Sequence, residues 1–221
     1  MKKYILAIAL SALTLPVYAD TTINGKVSTL GLGVEAAFPV TQSVDARIGV
    51  NGFHYTFNKA TTSNGQSTTY NGNLDMQSLQ ALADWHPWQS SFRVTGGLVY
   101  NNNQFKGTAQ PTGGKLYLGG SCYGVSPCII TVGDAHVDAT VDFDKIAPYL
   151  GIGWGRAAKK SGLSFTSDVG VLYAGTPKTN LTTVDFNATA ADLASANAAL
   201  KDSLNGYKFY PIVSIGIGYS F

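Results

Sequence analysis

From Phe209 to Phe221 the chain alternates with period two. Phe209, Val213, Ile215, Ile217, Tyr219 and Phe221 are bulky and apolar, and Ser214, Gly216, Gly218 and Ser220 between them are tiny or polar. That period belongs to a β-strand whose two faces meet different surroundings. A strand of a soluble sandwich usually carries charge on its outer face, but no charge follows Lys208. The pattern predicts lipid on one side and a tight lumen on the other.

The same dyad recurs upstream. Leu30, Leu32, Val34, Ala36 and Phe38 alternate with small or polar residues, as do Val44 to Val50, Leu79 to Trp85, Phe92 to Tyr100 and Leu163 to Tyr173. Across 137–154 the apolar phase shifts after Asp144-Lys145, which predicts a β-bulge or the point where a strand leaves the membrane. Pro39–Ser43, His86–Ser90 and Gly155–Gly162 read as short connections; 59–68, 107–136 and 182–206 read as long ones. Alternating short and long connections are the rule in outer-membrane barrels, with short turns in the periplasm and long loops outside. Counting back from a periplasmic C-terminus gives seven strands. An even number requires an eighth, which Thr22 to Thr29 supplies, with a tight turn near Thr29–Gly31. The expected fold is all-β: an eight-stranded antiparallel transmembrane barrel. One loop breaks the pattern. Thr189-Ala-Ala-Asp192 has the form of a helix N-terminal cap, and Leu193, Ala196, Leu200 and Leu204 follow at helical spacing, so a short helix outside or at the surface of the membrane is expected.

The first residues change the picture of compartment. Lys2 and Lys3 precede an apolar run from Ile5 to Leu15, Pro16 breaks it, and Val17-Tyr18-Ala19 has the small-residue form of a cleavage site. Residues 1–19 are expected to be a signal peptide and 20–221 the barrel. Without Lys2 and Lys3 the chain holds thirteen basic and thirteen acidic residues. That balance gives no support to nucleic-acid binding. Charged residues make up 13% of the chain, about half the share usual in soluble domains, which suits strands bathed in lipid. An export signal implies an oxidising compartment, so Cys122 and Cys128 are expected to form a local disulfide. A metal site would need more ligands, and only His136 lies near in sequence.

Strand parity sends Glu35, Asp45, Arg47, Asp84, Arg93 and Asp168 into the lumen, with Lys26 beside them. These groups read either as an ion-pair network that plugs the barrel or as the lining of a narrow polar path. Asp138, Asp142 and Asp144 share one parity near the outer end of the sixth strand. They read as a solvated rim or as a row that attracts cationic solutes. Signals for catalysis are weak, with no phosphate loop, zinc spacing or nucleophile elbow. His86 falls in a periplasmic turn and His54 on the lipid-side face, neither placed to pair with a nucleophilic Ser. His136 with Asp134 or Asp138 is the one candidate dyad. No cofactor, no metal and no enzymatic activity are expected.

Ile146-Ala-Pro-Tyr-Leu-Gly-Ile-Gly-Trp154 and Asp168-Val-Gly-Val-Leu-Tyr-Ala-Gly-Thr-Pro-Lys178 resemble the CarO-type small outer-membrane channels, as do Leu74-Asp-Met76 and the turn at Pro87-Trp88. That resemblance implies an eight-stranded barrel in the outer membrane of a Gram-negative bacterium. It also suggests uptake of ornithine-like basic amino acids and other small polar solutes. The alternative is a non-conducting structural or adhesive barrel acting through its loops. Expected partners are outer-membrane lipid and lipopolysaccharide, and the barrel-assembly machinery through the terminal Phe221. The protein is expected to be a monomer.

Overall fold

The computed structural model describes residues 21–63, 66–112, 116–118, 121–123, 136–156, 161–184 and 190–221. The expected leader, Asp134, Cys128 and the side chain of Cys122 lie outside the described residues, and the disulfide expectation with them.

Eight strands close into a ring. They are β1 (Thr22–Ser28), β2 (Gly31–Pro39), the first parts of β3 (Val44–Ser63) and the last of β4 (Gln66–Trp85), then β5 (Phe92–Asn101), β10 (Ile146–Trp154), β11 (Gly162–Tyr173) and β13 (Phe209–Ser220). Every neighbour is antiparallel, and β1 pairs with β13 from Thr22↔Ser220 to Ser28↔Ser214, leaving the ring no edge. Closure is what lets a sheet sit in hydrocarbon, because no backbone N–H or C=O is left unpaired there. Outward-facing Leu32, Ile48, Leu98, Leu150, Phe165 and Ile215 are each at least half exposed. Such an exposed apolar belt is stable only against lipid. Thr29-Leu30 makes the tight turn between β1 and β2, where Thr29 Oγ1 donates to the Pro211 carbonyl and the Tyr210 hydroxyl donates to that of Thr29. At the opposite end Arg156 donates to the carbonyls of Gln89 and Gln42, tying the three short turns together.

Two of the expected long connections contain much regular structure. Residues 59–63 and 66–68 belong to the arms of one hairpin, since β3 and β4 run on twenty residues each and pair from Val44↔Trp85 to Ser63↔Gln66. Thr, Ser and Asn dominate its tip, so no apolar dyad marks it as strand. Beyond the barrel the upper part of β4 changes partner from β5 to β6 (Gln104–Thr112), which pairs with β9 (His136–Asp142), which pairs with β12 (Lys178–Val184). Strands β5, β10 and β11 therefore break at one level, at Asn102-Asn103, Phe143–Lys145 and Ala174–Pro177, and resume as an open sheet above the ring. The phase shift after Asp144 is this exit from the membrane. Backbone bonds span the joint: Asn101 N–H donates to the Lys145 carbonyl (2.7 Å) and Asp144 N–H to that of Ala174 (3.0 Å). Gly175 sits there with φ +74°, and a side chain at that position would collide with Asp144. A short hairpin, β7 (Leu116–Leu118) with β8 (Ser121–Tyr123), lies between β6 and β9 in the chain.

The polarity of the two faces reverses at this joint. Below it the outward positions are mainly apolar, with Ser167 and Gln77 as exceptions. Above it the outward positions are His54, Thr56, Asn58, Lys106, Asp138 and Asp142, while the inward ones are Phe53, Tyr55, Phe57, Phe105, Val137 and Val141. Phe53, Tyr55, Phe57 and Phe105 form a row of stacked rings about 6.3–6.4 Å apart. Helix α1 (Ala190–Leu204) covers part of this inward face through Ala196, Ala199, Leu200 and Ser203, and Val137 is 3% exposed beneath it. The expected helix is present, and it is followed by a 3-10 turn at Asn205–Lys208.

The lumen is narrow enough that glycines decide its packing. A Cβ on Gly97, which points inward, would lie 2.3 Å from the Ala81 carbonyl oxygen and 2.8 Å from Leu82 Cα. One on its neighbour Gly96, which points to lipid, meets nothing within 4 Å. Gly97→Ala should therefore lower stability by about 1–3 kcal/mol, read as a shifted urea midpoint of the refolded barrel. Gly96→Ala should leave the midpoint unchanged.

Candidate functional site

The lower half of the lumen is built around one guanidinium. Arg47 leaves β3 and reaches β11, which stands opposite it in the ring. Its Nε lies 2.6 Å from Asp84, one Nη is 3.2 Å from Glu35, and the two Nη atoms meet the two oxygens of Asp168 at 3.2 and 3.1 Å. Arg93 on β5 reaches the same Asp168 (2.8 Å) and donates to the Gly155 carbonyl. Lys26 pairs with Glu35 Oε2 at 2.8 Å, and Gln80 donates to the same oxygen at 2.9 Å. Thr95 and Ser214 donate to Asp84 and Asp168. All these charged groups are buried. Such a cluster is sustained because each carboxylate has a cation and further donors; a buried charge left alone is far costlier. Parity in the sequence brought these residues to one side of their strands, and ring closure brings the strands face to face.

Asp45 lies nearer the short-turn end, and its partner is one that sequence reasoning missed. His86 is wholly buried, with Nε2 3.2 Å from Asp45 and Nδ1 2.9 and 3.0 Å from the carbonyls of Ser90 and Phe92. Both ring nitrogens face acceptors, so the ring N–H finds one whichever nitrogen carries it. The signal was available: His86 continues the inward parity of Gln80, Leu82 and Asp84.

The upper half of the lumen is different. Leu82, Val99, Ala147, Tyr149, Leu172 and Ile212 fill it as a belt of buried side chains. Between the belt and the ion network lies a void of about 10 Å³, lined among others by Arg47, Tyr149 and Asp168. That is room for one water molecule. Above the belt, under α1, is a cavity of about 550 Å³ lined mainly by apolar and aromatic groups, with Lys59 among them.

The outer acidic residues are placed separately from the lumen. Asp138 and Asp142 lie on the face of the upper sheet that continues the outside of the barrel. They accept hydrogen bonds from Thr108 (2.6 Å) and Gln104 (2.7 Å). Asp144 sits in the joint and pairs with Lys178 at 2.9 Å. His136 approaches Asp138 at 3.4 Å. Among the described residues no group of three or more His, Cys, Asp or Glu is placed to hold a metal ion.

Solved structures share this architecture. CarO2 of Acinetobacter baumannii superposes with a TM-score of 0.60 at 21% identity, over 91% of this chain and 98% of that one. CarO of the same organism gives 0.58 at 18% identity, over 94% and 100%. The likeness is one of fold. No protein-family profile and no curated protein matches the chain.

Removing the central cation tests how the network is held. Arg47→Met should cost about 3–5 kcal/mol, measured by urea unfolding of the detergent-refolded protein, because three carboxylates lose their shared partner. Lys178→Met breaks an exposed pair and should cost under about 1 kcal/mol.

Proposed function

We propose that the protein is a narrow, monomeric outer-membrane channel for small polar or basic solutes, closed at rest by a belt of apolar side chains. The observation that carries this reading is how the lumen is blocked. Among the described residues no folded domain plugs the ring. A polar, charge-lined lower half is interrupted by a single layer of Leu82, Val99, Tyr149, Leu172 and Ile212. A hydrophobic constriction of this kind gates by excluding water, and it opens when side chains part or water enters. Glu35, Asp45, Arg47, Asp84, Arg93 and Asp168 would then line the path, exchanging their mutual pairs for those of a passing solute. The resemblance to CarO-type sequences, and the fold shared with the CarO structures, support the same reading. Ornithine-like amino acids suit such a lining, having one cationic and one zwitterionic end. Asp138 and Asp142 flank the outside of the upper sheet, so cations they attract would gather beside the mouth rather than in it.

A second reading, a barrel that conducts nothing and acts through its outer sheet and helix, is favoured by Arg47. Its side chain crosses the lumen and is held by three carboxylates, leaving a void of only about 10 Å³ beside it.

Planar-bilayer recording separates the two. The wild-type protein should show small, infrequent openings, and Leu82→Ser with Val99→Ser should make them more frequent by about tenfold or more, since the belt then holds water. Absence of openings in both proteins, with correct folding shown by heat-modifiable gel mobility, defeats the channel reading in favour of the second.

A further inference from the structure

The outward face of the β3–β4 hairpin carries a relay that neither reading uses. His54 and Thr56 are two residues apart on β3 and so share that face. Asp75 is the cross-strand partner of His54, and Asn73 that of Thr56. Asp75 Oδ1 lies 2.5 Å from His54 Nδ1, and His54 Nε2 lies 3.3 Å from Thr56 Oγ1. The Thr56 hydroxyl donates to Asn73 Oδ1 at 2.8 Å. A carboxylate on Nδ1 fixes the tautomer whose lone pair is on Nε2, and that lone pair faces a hydroxyl. This is the arrangement of an activated oxygen nucleophile: hydroxyl, base, and a group that orients the base. Turning the hydroxyl hydrogen about Cβ–Oγ1 passes it from Asn73 to His54 with no heavy atom displaced. Lys106 occupies the position opposite Asn73 on β6, on the same exposed face.

The height of this group selects its substrate. His54 is ten residue steps along β3 from Val44, and Asp75 the same number back from Trp85. At about 3.3 Å per step and a tilt of about 40°, that rise is about 25 Å, the height of the apolar band of an outer-membrane barrel. The relay therefore emerges where acyl chains of the outer leaflet meet their head groups, and there lipids carry their ester bonds. His54 and Asp75 side chains are 56% and 43% exposed before lipid is added, so the face is open to such a molecule.

We propose that Thr56, His54 and Asp75 form an acyl-transfer site on the outer flank of the barrel, hydrolysing a carboxylic ester of an amphiphile in the outer leaflet. Thr56 Oγ1 attacks the carbonyl carbon as its proton passes to His54 Nε2. The tetrahedral intermediate collapses, the bond to the alcohol oxygen breaks, and His54 returns the proton to that oxygen. Water then attacks the acyl-threonine, giving its proton to His54, and leaves with the acyl group as a free acid while the hydroxyl is restored. The net change is ester plus water to alcohol plus acid. Asp75 is a positioning residue that acts through His54.

The test uses the full-length protein refolded into vesicles of phosphatidylethanolamine and phosphatidylglycerol, with and without lipopolysaccharide, and measures released fatty acid. Release from the plain vesicles identifies a glycerophospholipid ester; release only when lipopolysaccharide is present identifies an ester of that molecule. Thr56→Ala and His54→Gln should reduce release by about 10²–10⁴-fold, and Thr56→Ser should retain it. A fluorophosphonate should label the peptide bearing Thr56; Asp75→Asn should slow that labelling and Asp75→Glu restore part of it. No release in either vesicle from correctly folded protein, or release unchanged in Thr56→Ala, overturns the proposal. A labelling rate unaffected by Asp75→Asn removes Asp75 from the relay. Conductance is read separately, so failure here leaves the channel reading standing.

Discussion

Inside hydrocarbon a peptide group has no solvent to bond with, so each N–H and C=O must find its partner in the protein. The pairing of β1 with β13 meets that demand, and everything else in the molecule is arranged around it. Once the sheet is closed with eight strands, its interior is just wide enough for side chains. The inward residues of strands far apart in sequence are then forced together. Arg47 and Asp168, separated by 121 residues, touch because the ring is small. Had the sheet remained open, neither a buried charge cluster nor an apolar belt would have formed.

The two layers of the lumen have different physical characters. The lower layer is specific, since each carboxylate of the Arg47 cluster accepts from several donors at defined distances. The upper layer is dispersive and non-directional, made of side chains that fill space. A solute of either polarity thus finds one layer unfavourable, and this sets a high threshold for passage without any moving domain.

Much of this was legible in the sequence because a strand with one wet and one greasy face writes its period into the residues. Most of the barrel strands were read from that mark, and β1 from the even strand count; the same parity named Glu35, Asp45, Arg47, Asp84, Arg93 and Asp168 as inward residues. The apolar belt was not legible. Leu82, Val99 and Leu172 break the alternation, and an apolar residue at an inward position looks like noise in a pattern that expects polarity there. The length of β3 and β4 was hidden for a related reason. Above the membrane the greasy face turns inward and the polar face outward, so the dyad changes sign and then dissolves into Thr, Ser and Asn. The His54 relay required the register of two strands, since Asp75 is 21 residues away and only pairing sets it beside the imidazole.

The reversal of polarity at the joint has a mechanical consequence. Sinking by two residues would drag His54, Lys106 and Asp142 into oil, and rising by two would lift the outermost apolar residues of the outward face, such as Leu32 opposite Gly52, to the water boundary. Both displacements are opposed, so the molecule floats at one draught, like a hull trimmed to its waterline. Whatever the outer sheet meets is thereby presented at a constant distance from the bilayer surface.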